Sequence, residues 1–143
     1  MEIKLVTAAE ILPLRHKILR PGEKIEKAMY PDDNDPANFH CAIYLENQIV
    51  SVATLVKESK VEFEGEGYRL RGMATETTKQ NLGLGKAVLI YGLNECKKRK
   101  VEYVWCNARQ TAFHFYEKLG FQYHGELFDI PGINLHKVMY KYL

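Results

Sequence analysis

The spacing of apolar residues changes several times along the chain, and each change marks an element. Glu2 to Val6 alternate as a short strand, and Thr7 with Glu10 forms a capping box that opens a helix. Ile11, Leu14, Ile18 and Leu19 make the apolar face of that helix, Arg15, Lys17 and Arg20 make the polar one, and Pro21-Gly22 ends it. A second short helix is expected over Glu23 to Met29. It is followed by a polar, turn-rich loop from Tyr30 to His40, where Pro31 and Pro36 block regular structure. His40 to Glu46 and Ile49 to Val56 read as an antiparallel hairpin about Asn47-Gln48. Lys57 to Gly67 is a charged connection with a little more strand around Val61 and Phe63, leading into a central strand, Tyr68 to Thr75.

The second half is more apolar. A helix over Leu82 to Lys98 carries two stripes, Leu84, Val88 and Tyr91 beside Leu89, Leu93 and Cys96, which predicts that it is largely buried. Val101 to Ala108 is an almost unbroken apolar run suited to an interior parallel strand. Thr111 is placed to cap a last helix whose Ala112, Phe115 and Leu119 face inward and which Gly120 ends. Phe121 to Gly125 and Lys137 to Leu143 are the final strands, with Pro131-Gly132 in a long connection between them. The alternation of Val138, Tyr140 and Tyr142 against Lys137, Met139 and Lys141 implies one buried face. Strand, crossover helix and parallel strand predict an α/β fold with a ligand cleft at the carboxyl ends of the strands.

The loop between the central strand and the following helix is the first candidate for chemistry. Gly83 and Gly85 let the chain from Gln80 to Lys86 (Gln80, Asn81, Leu82, Gly83, Leu84, Gly85, Lys86) turn its N–H groups toward an anion such as a pyrophosphate. The first N–H groups of the helix add unpaired donors and a favourable dipole. Two familiar glycine loops are excluded by spacing. A dinucleotide fingerprint needs glycine where Val88 stands, and a nucleotide P-loop needs glycine at Gln80 and Ser or Thr at Ala87.

Composition narrows the classes. A chain of 143 residues with 46% hydrophobic content fits one domain, residues 1–143, and a net charge of +2 gives no case for nucleic acid. Cys41, Cys96 and Cys106 lie within apolar patterns without CxxC or Cys/His spacing, so neither a disulfide framework nor a metal site is expected. With no long apolar run, a membrane span is not expected, and a reducing, cytoplasmic location is.

RGMAT followed by QNLGLG, then a strand and AFHFYEKLGF, resembles the GNAT superfamily of acyl-CoA-dependent N-acyltransferases, and the similarity spans nearly the whole chain. LRHKILRPG with MYPDDNDPANFH is similar to the small bacterial ElaA-like branch. The resemblance implies a mixed sheet of about seven strands, splayed between the fourth and fifth, flanked by about four helices. It also implies acetyl-CoA as co-substrate, a small-molecule or peptide amine as acceptor, and no metal, and it leaves room for a homodimer. In such families the pantetheine runs beside the strand at Met73, Ala74 and Thr75, held by main-chain hydrogen bonds. Asn107, Arg109, Ala112 and Phe115 are then cofactor-side candidates, and Tyr116 the residue that serves the departing thiolate. Many members carry Asn seven positions before that tyrosine. Here Arg109 holds the place, open to an acceptor carboxylate or a cofactor phosphate.

A phenol near pKa 10 giving its proton to a thiolate near 8.5 is uphill by roughly 2 kcal/mol, so a strong hydrogen bond matters more than full transfer. The acceptor ammonium must lose a proton before attack; His40, Asp33, Asp35 and Glu76 are candidates that no spacing separates. An acyl-CoA sensor without turnover, or an enzyme using a longer acyl thioester, are the alternative readings.

Overall fold

The computed structural model describes residues 1–132 and 134–143. Its seven strands are β1 (Glu2–Val6), β2 (Phe39–Leu45), β3 (Gln48–Lys57), β4 (Gly67–Thr75), β5 (Tyr103–Arg109), β6 (Gln122–Ile130) and β7 (Asn134–Tyr142). The helices are α1 (Ala8–Leu19), α2 (Leu84–Lys98) and α3 (Phe113–Lys118), and the short helix expected over Glu23 to Met29 is a 3-10 turn, Ile25–Ala28. The strands form one sheet in the order β1-β2-β3-β4-β5-β7-β6, antiparallel except where β4 meets β5. This is the mixed, centrally split α/β sheet that the sequence leads one to expect.

Local chemistry accounts for the element ends. The Thr7–Glu10 capping box is complete, with side chain and backbone bonded in both directions. The β2–β3 hairpin turns on Glu46 and Asn47, both at positive φ, the primed turn that matches strand twist. α1 packs Ile11 and Leu14 on Ala42, Val52 and Ala74, one face of the sheet. α2 packs Leu84, Val88, Leu89, Leu93 and Cys96 on the other, against Cys41, Ile43, Leu55 and Leu70.

Four expectations are corrected. Arg15, assigned to the polar face of α1, is fully buried. α2 begins at Leu84, two residues later than expected, because Gly83 is left-handed (φ +79°). No strand forms around Val61 and Phe63; Phe63 instead packs on Tyr103 and Tyr140. The last two strands reach Ile130 and Asn134, so most of the expected long connection is strand, and the buried face of β7 is the one that carries Met139.

β4 carries the feature that shapes the site. Val52 pairs with Ala74 but Thr54 pairs with Arg71, so β4 has one extra residue at Gly72-Met73. Gly72 is left-handed (φ +63°), the glycine bulge that bends a strand and increases its twist. A Cβ on Gly72 would stand 3.0 Å from Arg15 Nε and 3.3 Å from the Tyr30 ring. Gly72→Ala is therefore expected to lower unfolding free energy by about 1–3 kcal/mol in urea titration, from the left-handed backbone and the crowding together.

Candidate active site

β4 and β5 run parallel for three pairs, Gly67↔Tyr103, Tyr68↔Val104 and Arg69↔Trp105, and no pairing follows. Beyond them the bulged β4 and the β7-paired β5 diverge. The edge of β4 from Leu70 to Thr75 is left with main-chain N–H and C=O groups that face a cleft instead of a strand. The cleft is about 1050 Å³ in volume. Met73, Ala74, Thr75 and Gln80 line one side, and Asn107, Arg109, Ala112, Phe115 and Tyr116 line the other. An extended chain bearing amides fits such an edge by supplying the missing ladder bonds.

Of the loop residues expected to cradle an anion, Gln80 lines the cleft, and Asn81 to Lys86 follow it into the start of α2. Asn81 (φ +64°) and Gly83 (φ +79°) are both left-handed, which curls the loop. Among the described residues, the N–H groups of Asn81 through Lys86 donate to no protein acceptor, and the first ladder bond is Ala87 N–H to Gly83 O. Unpaired donors at a helix start form an anion site. Leu84 turns its side chain into the core, so only its main chain is available, and the Leu82 side chain is exposed. A Cβ on Gly85 would stand 3.8–3.9 Å from Thr75 Oγ1, Met73 Cε and Phe115 Cζ, so it would project between cleft-lining side chains.

Tyr116 projects from α3 into the parting. Its hydroxyl is 3.8 Å from Met73 Sδ and within interaction range of the Cys106 thiol, both weak partners. Burial pushes this phenol well above its ordinary value, the Cys106 sulfur adds to the rise, and Arg109 offsets part of it. Tyr116 therefore stays protonated and donates. Full proton transfer to a thiolate is uphill by more than the roughly 2 kcal/mol that ordinary values give. Burial also pushes the thiols of Cys41, Cys96 and Cys106 up to about 12.

The four base candidates are all engaged elsewhere. His40 is buried with Nδ1 on Thr54 Oγ1 (2.8 Å) and Nε2 on the Asp33 carbonyl (2.8 Å). Asp33 accepts two bonds from Arg15, at 2.7 and 3.0 Å, and one from the Tyr30 N–H. Burial alone would raise the Asp33 carboxyl, but the Arg15 hydrogen bonds, the Tyr30 N–H and the Arg15 charge together hold it below the usual carboxylate range. Asp35 caps a turn through the Ala37 N–H, and Glu76 pairs with Lys17 at 2.8 Å.

Sequence reasoning missed the opposite end of the cleft, lined by Arg20, Glu23, Tyr30, Arg69, Arg71 and His136. The alternation in YRLRG placed Arg69 and Arg71 on one strand face. Nothing local linked that face to α1 or to Tyr30.

The profile of the family described as acetyltransferase (GNAT) domain matches residues 9–142. The chain belongs to the GNAT acetyltransferase family. Like other GNAT proteins it is an acyltransferase. The uncharacterized N-acetyltransferase YitI of Bacillus subtilis (strain 168) is 36% identical to it over 144 aligned residues, covering 100% of this chain and 97% of the relative. The GNAT fold is shared with more distant structures. A Lactobacillus plantarum protein superposes with a TM-score of 0.81 at 18% identity, covering 100% of this chain and 99% of that one. An aminoglycoside 6′-N-acetyltransferase complexed with coenzyme A gives 0.79 at 14% identity over 99% and 97%. Escherichia coli ElaA gives 0.73 at 16% over 98% of each chain. Among the described residues of this GNAT chain, no helix is long and apolar enough to cross a membrane.

Arg15→Met would strand the Asp33 carboxylate and is expected to cost about 3–5 kcal/mol of stability in denaturant titration at neutral pH. The sign with pH is set by the lowered Asp33 value. In the parent the pair contributes fully above the unfolded carboxylate range, near 4, and its contribution is lost as pH falls through the lower folded value. Arg15→Met should lack that acid-side loss.

Proposed function

We propose that this acyltransferase moves an acetyl group from acetyl-CoA directly to a primary amine, the whole chain acting as one domain. The observation that carries this reading is the unpaired β4 edge leading to a loop of unpaired N–H groups. In this reading the main chain of Met73, Ala74 and Thr75 pairs with the two amides of pantetheine. The loop from Gln80 to Lys86 holds the diphosphate, and Asn107, Arg109, Ala112 and Phe115 flank the arm. The neighbour complexed with coenzyme A supports the same donor here.

The amine nitrogen attacks the thioester carbonyl, the C–S bond breaks, and the amine proton leaves to water in the open cleft. Tyr116 donates a hydrogen bond to the departing sulfur, which takes its proton in the end from solvent. A covalent acyl-enzyme is disfavoured because Cys106, the cysteine that lines the cleft, has its thiol pushed up to about 12 by burial and carries almost no thiolate at neutral pH. Catalysis rests on positioning and on preorganised donors.

Calorimetric titration with acetyl-CoA and free-CoA release with an amine panel test the reading; a folded protein that binds no acetyl-CoA would sink it. Tyr116→Phe is expected to lower kcat about a hundredfold with acetyl-CoA affinity nearly unchanged. Gly85→Ala separates site from fold. Its Cβ meets only ordinary contacts, so thermal stability should be equal or slightly higher. CoA affinity should fall about tenfold because the methyl enters the path of the arm.

A further inference from the structure

Resting on that reading of the site, we propose that the acceptor is an amine that also carries an oxyanion, a carboxylate or a phosphate, bound by Arg71 and Arg109. The charge of the cleft carries this. Four arginines line it, Arg20, Arg69, Arg71 and Arg109, against one carboxylate, Glu23. Glu23 faces Arg20 at 3.8 Å, and Arg69 faces Glu58 at 3.7 Å. Arg71 and Arg109 have no carboxylate within 4 Å among the described residues.

Arg71 is held in place without being neutralised. Its guanidinium stacks at 3.8 Å on the Tyr30 ring, whose environment also holds the Arg15 guanidinium at 3.9 Å. Arg15 is neutralised by Asp33, so that ion pair fixes Tyr30 and Tyr30 fixes Arg71. Arg71 Nε, like Arg69 Nε, is buried and bonds to nothing among the described residues, so the guanidinium is left short of acceptors. A planar guanidinium with free donors suits bidentate carboxylate or phosphate recognition.

The same charges act on the amine. A positive cleft disfavours the ammonium form and lowers its pKa, which helps supply the neutral nucleophile that no free carboxylate in the cleft is placed to generate. It also repels polycations. Aminoglycosides and polyamines should be poor acceptors despite the fold shared with an aminoglycoside acetyltransferase.

The test compares matched acceptors by free-CoA release at fixed acetyl-CoA: 4-aminobutyrate against 4-aminobutyramide, glucosamine 6-phosphate against glucosamine, and spermidine and kanamycin as polycations. The anionic member of at least one pair should have kcat/KM about tenfold to a hundredfold higher. The pair that responds tells carboxylate from phosphate. Arg71→Met should raise KM for the anionic acceptor by a similar factor, leaving its uncharged partner and the calorimetric acetyl-CoA affinity within about twofold. Equal use of both members of each pair, a preference for spermidine or kanamycin, or equal losses on charged and uncharged acceptors would overturn the inference. In those cases acetyl-CoA still binds and turns over, and the donor reading survives. Failure of the donor reading looks different: no acetyl-CoA binds, while calorimetry with the anionic amines alone still detects binding that Arg71→Met removes.

Discussion

The molecule is organised around a hydrogen-bond ladder that stops. β4 and β5 pair at Gly67, Tyr68 and Arg69 and then part. Two constraints pull them apart. The bulge at Gly72-Met73 bends β4 while it stays paired with β3, and β5 pairs with β7 along its whole length, from Tyr103↔Tyr142 to Arg109↔His136. A buried strand edge without partners is costly, because each unpaired peptide group forfeits its bonds to water. Opening the edge to a large cleft keeps those groups wet, and an extended ligand with amides of its own can replace the water.

The two faces of the sheet divide the work. α2 covers one face with a dense apolar layer and presents its N-terminus at the mouth of the parting. The dipole, the bare N–H groups and the left-handed Asn81 and Gly83 all act at one place because they belong to one short segment. On the opposite face α1 contributes a smaller apolar patch and a polar network of Arg15, Asp33, Thr54 and His40. Arg15 bonds the Ala28 carbonyl, Asp33 and Thr54 at once, which ties the loop between Ala28 and β2 to the sheet. Such a network specifies one arrangement of a loop that has little apolar surface of its own.

Tyr116 illustrates how packing changes the meaning of a side chain. The phenol sits against Phe115 and Phe121, and among the described residues its hydroxyl meets sulfur, Met73 Sδ at 3.8 Å. Those surroundings make it a weaker acid and leave its proton uncommitted. A phenol in such surroundings is a better hydrogen-bond donor than a proton source.

Much of this was legible in the sequence because the signals are local. The Thr7–Glu10 capping box, the strand–loop–helix from Tyr68 through α2 and the strand-then-helix at Asn107 to Phe121 each encode their geometry within a few residues. The choice of faces was not local. Arg15 looks like a polar-face residue by helical spacing, and only the arrival of Asp33 and Thr54 from distant segments makes its burial tolerable. The alternation of Tyr140 and Tyr142 with Met139 predicts one buried face of β7 without saying which. In the fold those tyrosines cover the Phe63 and Tyr103 side, and the core takes the methionine. The sequence by itself determined which segments are strands, which are helices and where a glycine loop opens α2, since backbone propensity, capping and glycine are short-range. The tertiary structure alone decided which arginines meet in the cleft and which carboxylates are already paired, because electrostatic partners are set by distance in space and the chain carries no record of that distance.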